Sequence, residues 1–169
     1  ASDQYSYVVS AKLAQRYNLK QIGDLRAVPN LVLGGNSELE TRPYGPKGLK
    51  SVYAVNVKFS PIEDSGGALT VKALRDNSIQ LADIYSSDPV LASSDMVVLA
   101  DPKSLFLASQ VVPVISERID ERAGAQINRI SAMLTSRALI EMNHQSTKLQ
   151  RSARDIAKAW LATQSANAS

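Results

Sequence analysis

The sequence predicts an α/β fold built on a mostly parallel sheet. Two observations support this class: short apolar runs alternate with helical segments from residue 5 to residue 115, and only helical patterns follow. The chain is also 44% apolar and 21% charged, which is the composition of a globular protein with a buried core. Its 169 residues by themselves suggest about one domain.

Apolar, β-branched and aromatic runs of strand length recur along the first two thirds of the chain. These candidate strands are residues 5–9, 31–33, 57–59, 79–84, 96–99 and 111–115. Helical patterns occupy segments between them. The candidate helices there are residues 11–17, 22–27, 47–55 and 68–76. Because turn-forming Gly, Pro and Asn separate these elements, we expect strand and helix to alternate along the chain.

Amphipathic helices are predicted after residue 115. The apolar residues that lie three or four apart, and therefore share one helical face, are Ile119, Ala123, Ile127, Ile130 and Leu134. A short helix is predicted over residues 136–142, and Ser152 with Asp155 has the spacing of a capping box that begins a last helix. The polar run 164–169 is predicted to fray. Amphipathic helices need an apolar surface to cover. The predicted strands already pack against the helices between them, so part of the surface that the last helices cover is expected to lie outside this sequence.

Charge and composition exclude several classes of function. The 19 Lys and Arg are scattered and exceed the 16 Asp and Glu by only 3, so no nucleic-acid partner is predicted. No apolar run approaches the roughly 18 to 20 residues of a membrane-spanning helix. The chain has no Cys and a single His, His144, which disfavours thiolate and multi-histidine metal sites. We predict no metal and no cofactor.

Acidic residues are the candidates for acid/base chemistry. Asp83, Asp88, Glu38 and Glu40 could form an acid/base pair, but their positions in the chain do not determine their separation. The glycine pairs at 34–35 and 66–67 lack the spacing of a phosphate-binding loop. No enzyme motif is present, and no enzymatic activity is predicted.

Tyrosines make up 6 of the 9 aromatic residues. Tyr85 follows the candidate strand 79–84, and ligand crevices form at the carboxyl ends of strands in open α/β sheets. Tyrosine faces attract quaternary ammonium groups, although each ring could instead be a half-buried packing residue. Arg42 could bind a ligand carboxylate in a bidentate manner, or pair with Glu38 or Glu40 at the surface.

Segments along nearly the whole chain, taken in order, resemble the substrate-binding proteins of osmoprotectant ABC importers, the glycine betaine, choline and carnitine type. The matching segments are DQYSYVVSAKLAQRYNLK at 3–20, IGDL at 22–25, LVLGG at 31–35, ETRP at 40–43, GLKSVY at 48–53, DSGGALTVKAL at 64–74, ADIYSSDP at 82–89, VLADPKSLF at 98–106 and VVPV at 111–114.

The resemblance implies a fold similar to type II periplasmic binding proteins, in which two α/β lobes joined by two crossing strands close on a ligand. Residues 1–114 would form the second ligand-binding lobe, nearly complete and including its hinge strands. Residues 115–169 would be a C-terminal helical part that packs on the first lobe. Most of that first lobe, about a hundred residues by the usual size of such domains, would precede this chain and be absent from it.

The resemblance also implies a binding site. In the family an aromatic cage holds a trimethylammonium group, and an arginine binds the carboxylate of a betaine. The Asp-x-Tyr motif corresponds to Asp3 and Tyr5, the Glu-Thr-Arg motif to Arg42, and the aromatic before Ser-Ser-Asp-Pro to Tyr85. Ser109 stands where the family usually has Tyr or Gln, so one wall of the cage is expected not to be aromatic.

A second departure concerns Tyr44, because the family usually has Asp before Gly45. Tyr44 is therefore either a substitute ring of the cage or a loop residue.

The function implied by the resemblance is that of a periplasmic or cell-surface solute-binding protein. Such a protein captures a quaternary ammonium compatible solute and delivers it to the permease subunits of an ABC transporter. It would associate with the membrane only through that permease or through a lipid anchor N-terminal to these residues. The alternative is the effector-sensing domain of a transcription regulator with the same two-lobed fold, which a helix-turn-helix upstream would indicate.

Overall fold

A computed structural model of the chain describes residues 1–166. The chain divides into two compact units. The sheet unit contains Gln4–Ser86 and Val90–Leu107, and the helical unit contains Ala1–Asp3, Ser87–Pro89 and the chain from Ala108 onward. The lobes predicted at 1–114 and 115–169 remain a prediction.

A five-stranded mixed sheet forms the centre of the sheet unit. Its strands are β1 (Tyr5–Ser10), β2 (Val32–Gly35), β3 (Lys58–Pro61), β4 (Leu81–Tyr85) and β5 (Met96–Val98), in the order β3-β2-β4-β1-β5. β2 is parallel to β3 and β4, whereas β1 is antiparallel to β4 and β5. The prediction of a mostly parallel sheet was therefore wrong, because alternation along the chain does not report the direction of each strand.

Short helices connect the strands. They are α1 (Ala11–Tyr17), α2 (Pro46–Tyr53) and α3 (Ala68–Arg75), with 3-10 turns at Ile22–Ala27, Ser37–Glu40 and Pro89–Ala92. The start of α1 is capped by Ser10, whose hydroxyl accepts the backbone N–H of Leu13 at 3.2 Å, and Asn18 ends it in the left-handed conformation. Pro46 begins α2, where its missing N–H costs no helical hydrogen bond.

Both faces of the sheet are buried, because alternate residues of a strand point to opposite faces. Tyr7 and Val9 of β1 belong to one apolar cluster, and Val8 between them belongs to another. The first cluster includes Leu49 of α2, and the second includes Leu74 of α3. Helices therefore cover the sheet on both sides, which holds the ends of β1 and β4 in place.

Three helices form most of the helical unit: α4 (Glu121–Met133), α5 (Ser136–Thr147) and α6 (Ala153–Ala166). Half of the predicted capping box is present: Ser152 Oγ accepts the backbone N–H of Asp155 at 3.2 Å, and the hydroxyl donates to the Asp155 carboxylate at 2.7 Å. α5 ends at Thr147, five residues after the predicted end at residue 142. The prediction stopped early because residues 143–147 are polar and add no apolar periodicity. Residues 164–166, predicted to fray, belong to α6, and residues 167–169 lie outside the described residues.

The predicted strand at 111–115 was wrong. Ser2 bridges Gln110 in antiparallel fashion and the N–H of Val111 bonds the carbonyl of Ala1 at 2.9 Å. Beyond this isolated pairing, residues 111–115 form no ladder with the described residues. Val112 and Val114 are 67% and 92% exposed.

None of the helices within residues 1–166 has the length and apolar character needed to cross a bilayer.

Candidate functional site

The register of β1 and β4 brings four polar or aromatic side chains to one face of the sheet. Tyr5 pairs with Tyr85, and Tyr7 pairs with Asp83. Residues opposite each other in a ladder share a face, and so do residues two apart in one strand. This local pattern positions the site.

Three tyrosine rings lie in contact at the end of these strands. The Tyr85 hydroxyl donates to the Tyr5 hydroxyl at 2.6 Å, and the two ring centroids are 4.3 Å apart. Tyr44, from the turn before α2, stacks on Tyr5 with a centroid distance of 5.4 Å. The hydrogen bond to Tyr85, together with burial, raises the pKa of Tyr5, so its phenol is neutral near pH 7.

Tyr44 is held in place by a buried anchor. Tyr7 is fully buried, and its hydroxyl donates to the Tyr44 carbonyl oxygen at 2.5 Å. The Tyr44 ring also lies 5.4 Å from the ring of Phe106, which packs edge-on against Tyr7 at 4.8 Å. The turn that carries Tyr44 is thus held against β1 by the hydrogen bond from Tyr7 and by the stacking of its ring on Tyr5.

Arg42 lies just after the 3-10 turn Ser37–Glu40 and pairs with Glu38. Its Nη2 is 2.5 Å from Glu38 Oε2, and the two side chains are 49% and 52% exposed. The hydrogen bond that Arg42 donates to this carboxylate raises the pKa of Arg42. Surface pairing with Glu38 was the alternative that the sequence left open, and the structure contains it. Exposed ion pairs contribute only about 0–1 kcal/mol, so another carboxylate can compete for the guanidinium.

Asp83 is a buried carboxylic acid. It is 7% exposed, and within the described residues its Oδ1 has no hydrogen-bond partner. Burial raises the pKa of Asp83 to about 7, because a charged carboxylate is disfavoured away from water. Burial and the negative charge of Asp83 both raise the pKa of Tyr7 and of Tyr44.

Most of the side chains described above line one pocket of the sheet unit. Its lining residues are Tyr5, Asn36, Glu38, Leu39, Arg42, Tyr44, Ser65, Gly66 and Asp83. Gly35 lies close to two of these residues: a methyl group on it would be 2.7 Å from Leu39 Cδ2 and 3.6 Å from Asp83 Cβ. The pocket combines aromatic faces, one guanidinium and two carboxyl groups.

The structure places the five predicted ligand residues in two groups. Tyr5 and Arg42 line the pocket, and Tyr85 is hydrogen bonded to Tyr5. Asp3 and Ser109 lie in the helical unit, where the N–H of Asp3 donates to the carbonyl of Ser109 at 3.2 Å. Their role as ligand residues stays a prediction.

Sequence reasoning assigned no ligand-binding role to Asp83, which it considered only for acid/base chemistry with Asp88, Glu38 and Glu40. Of these, Glu38 and Asp83 line the pocket. The signal was present in strand alternation, since Asp83 stands two residues before Tyr85 and therefore shares its face. Tyr44, an open question in the sequence, lines the pocket.

Metal binding has no candidate site in the part of the chain that the structure describes, where no group of three or more His, Cys, Asp or Glu could hold an ion.

A mixed sheet covered by helices, with a pocket of aromatic and charged side chains at its strand ends, defines a ligand-binding α/β domain. Residues 1–163 match the family described as the substrate-binding domain of the ABC-type glycine betaine transport system, and the chain belongs to that family. The family consists of transport binding domains, in agreement with the prediction that the chain is not an enzyme.

Two curated relatives are similar over most of this chain. The carnitine transport binding protein OpuCC of Listeria monocytogenes is 23% identical over 150 residues, which are 86% of this chain and 48% of the relative. The ergothioneine transport permease/ergothioneine binding protein EgtU of Helicobacter pylori (strain G27) is 24% identical over 164 residues, 95% of this chain and 29% of the relative. The chain thus spans about half or less of these relatives.

A crystal structure titled glycine betaine/carnitine/choline ABC transporter has the same fold. The TM-score is 0.78 at 22% sequence identity, and the match covers 96% of this chain and 60% of the other. The predicted class, an α/β fold of the type II periplasmic binding protein kind, is confirmed.

Proposed function

We propose that this chain is the ligand-binding part of an extracytoplasmic solute-binding protein that captures a quaternary ammonium compatible solute for ABC import. The observation that carries the proposal is the cluster in which Tyr5 contacts both Tyr44 and Tyr85. Tyr5 and Arg42 line the same pocket. Membership of the glycine betaine transport family supports it. Glycine betaine, choline and carnitine are the ligands we expect to test first.

The tyrosines suit the ammonium end of such a ligand. A cation over an aromatic face gains roughly 0.5 to 2 kcal/mol, and the raised pKa of Tyr5 keeps its ring a neutral quadrupole. Tyr5 and Tyr85 are in ring contact at 4.3 Å, so an ammonium group would lie over them and not between them. Tyr44, stacked on Tyr5, extends the same surface.

Arg42 suits the carboxylate end of a betaine or of carnitine. A charge-assisted hydrogen bond to a guanidinium contributes about 1.5–3 kcal/mol, more than the exposed pair with Glu38. The ligand carboxylate would therefore share or replace Glu38 at Arg42. Choline has no carboxylate and would bind at the tyrosine rings without Arg42. Asp3 and Ser109 remain in the proposal through their motif positions.

Delivery to the permease subunits of an ABC transporter, and a periplasmic or cell-surface location, are part of the proposal. One relative is named a carnitine transport binding protein and the other an ergothioneine transport permease/ergothioneine binding protein, which supports them. Association with the membrane, through a lipid anchor or through the permease alone, stays a prediction. The regulator alternative has no support among the comparisons, since the matched family is a transport family.

Thermal unfolding of the protein expressed from its full coding sequence tests the function. Glycine betaine, choline, carnitine and proline betaine are each added at millimolar concentration, with 3,3-dimethyl-1-butanol as the uncharged analogue of choline. A ligand at a hundred times its Kd stabilises the folded state by about 2.7 kcal/mol, so at least one should raise Tm by several degrees. An unchanged Tm with all four would contradict the proposal.

A further inference from the structure

Asp83 is a buried acid that neither the fold nor the proposed contacts account for. It sits on the central strand β4 and lines the pocket with Tyr5 and Tyr44. Its Oδ1 has no hydrogen-bond donor and no salt bridge reaches it within the described residues. A buried carboxyl is ordinarily paired, so this one requires an explanation.

The neighbouring donors are engaged elsewhere. The Tyr7 hydroxyl, from the residue opposite Asp83 in the ladder, donates to the Tyr44 carbonyl. The Tyr85 hydroxyl donates to Tyr5, and Arg42 is paired with Glu38. The missing partner of Asp83 can therefore come from the pocket.

We propose that Asp83 is the counter-charge for the cationic group of the ligand, so that the pocket selects cations over neutral molecules of the same shape and releases a proton when it binds one. The inference rests on the proposed function and adds a specificity residue to that site. A cation over the tyrosine rings would share a confined, poorly solvated pocket with Asp83. There the attraction between opposite charges is much stronger than in water.

Proton release follows from the position of Asp83. Burial holds its pKa at about 7, and a nearby cation lowers this pKa because it favours the charged carboxylate. Below pH 7 the acid is mostly protonated and must lose its proton as the cation binds. The affinity should thus rise from pH 6 to pH 8 and level off above it.

Three tyrosines and one arginine around Asp83 do not titrate in that range. Tyr5, Tyr7 and Tyr44 all have a pKa raised above 10, from the hydrogen bond to Tyr85 for Tyr5 and from burial for the other two. Arg42 stays charged, because the hydrogen bond it donates to Glu38 raises the pKa of Arg42. A proton that the wild type releases near pH 6.5 and the variant Asp83→Asn does not release is therefore assigned to Asp83.

The test is calorimetric titration of choline into the full-length protein at pH 6.5, in phosphate and in imidazole, whose ionisation enthalpies differ. The wild type should release a substantial fraction of one proton per choline and bind choline more tightly at pH 8 than at pH 6. D83N should release none, show a flat profile from pH 6 to 8 and bind choline about tenfold more weakly at pH 8, the change that accompanies a one-unit pKa shift. Asp76→Asn, on an exposed residue at the end of α3, is the matched control and should behave as wild type.

Selectivity is measured with 3,3-dimethyl-1-butanol, the uncharged analogue of choline. The ratio of the affinity for choline to the affinity for this alcohol should be at least ten times larger in the wild type than in D83N. An equal preference in the two proteins overturns the inference, as does choline binding by wild type without proton release, a result that does not depend on the folding of D83N. If the wild type binds no quaternary ammonium compound, the proposed function itself fails and the inference falls with it.

Discussion

Tyr7 and Tyr44, 37 residues apart in the chain, are joined by a hydrogen bond of 2.5 Å from the buried hydroxyl of one to the main-chain carbonyl of the other. The bond connects strand β1 to the turn that carries Tyr44 and Arg42. A residue of the core therefore determines where two residues of the pocket lie.

Tyr7→Phe should destabilise the protein and weaken ligand binding together. The change keeps the ring but leaves the Tyr44 carbonyl without its donor, at a cost of about 1–3 kcal/mol in the free energy of unfolding. Chemical denaturation measures this loss, and Tyr17→Phe on α1 is the matched control. An unaltered stability would show that the turn is held by the ring contacts alone.

Arg42→Ala should weaken glycine betaine binding at least tenfold, about 1.4 kcal/mol, and leave choline binding nearly unchanged. The reason is that only the betaine offers a carboxylate to the guanidinium. Calorimetry with both ligands measures the difference. Arg75→Ala, which breaks an exposed pair with Asp95 at 2.8 Å, serves as the control. Equal losses for the two ligands would argue against carboxylate recognition by Arg42.

Glu38→Gln should strengthen glycine betaine binding by a few fold, because the guanidinium of Arg42 no longer has a charged partner within the protein. The gain should shrink as salt is added, since the pair is exposed and screened. Glu40→Gln, an exposed change on the same 3-10 turn, is the control. Weaker betaine binding by E38Q would mean that Glu38 orients Arg42 instead of competing for it.

Tyr85→Ala should weaken glycine betaine and choline alike, by about two- to thirtyfold for a lost cation-π contact of roughly 0.5–2 kcal/mol. Tyr85→Phe retains the ring and loses only the hydroxyl bond to Tyr5, so its effect should be smaller. Both affinities are measured by calorimetry. A loss confined to one ligand, or an equal loss in Y85F, would contradict recognition through the ring face.

Asp83→Asn should stabilise the ligand-free protein at pH 8 and much less at pH 5. The pKa of Asp83 is about 7 in the folded protein, above the ordinary value of an unfolded aspartate near 4. Folding therefore takes up a proton between pH 4 and 7, and the stability this provides is lost as the pH rises through that window. The difference in unfolding free energy between D83N and wild type should grow across it by on the order of 2–4 kcal/mol. Denaturation at several pH values measures this, with D76N as the control; a constant difference would place the pKa of Asp83 near its ordinary value.

Local features of the chain could be predicted with the sequence alone. Five of the six predicted strands are present, with their ends shifted by at most two residues, and Ser152 caps the start of the last helix as its spacing with Asp155 indicates. These features depend on side chains within a few positions of one another, so the periodicity of the sequence contains them. The family motifs likewise pointed to Tyr5, Tyr85 and Arg42.

Contacts between distant residues were decided only by the tertiary structure. The antiparallel direction of β1, the missing ladder at 111–115 and the pairing of Tyr7 with Asp83 depend on which segments meet in space. The same is true of the burial of Asp83, which no neighbour in the chain predicts. Sequence periodicity reports which residues share a face, whereas the register between strands determines which of them meet and which lose their contact with water.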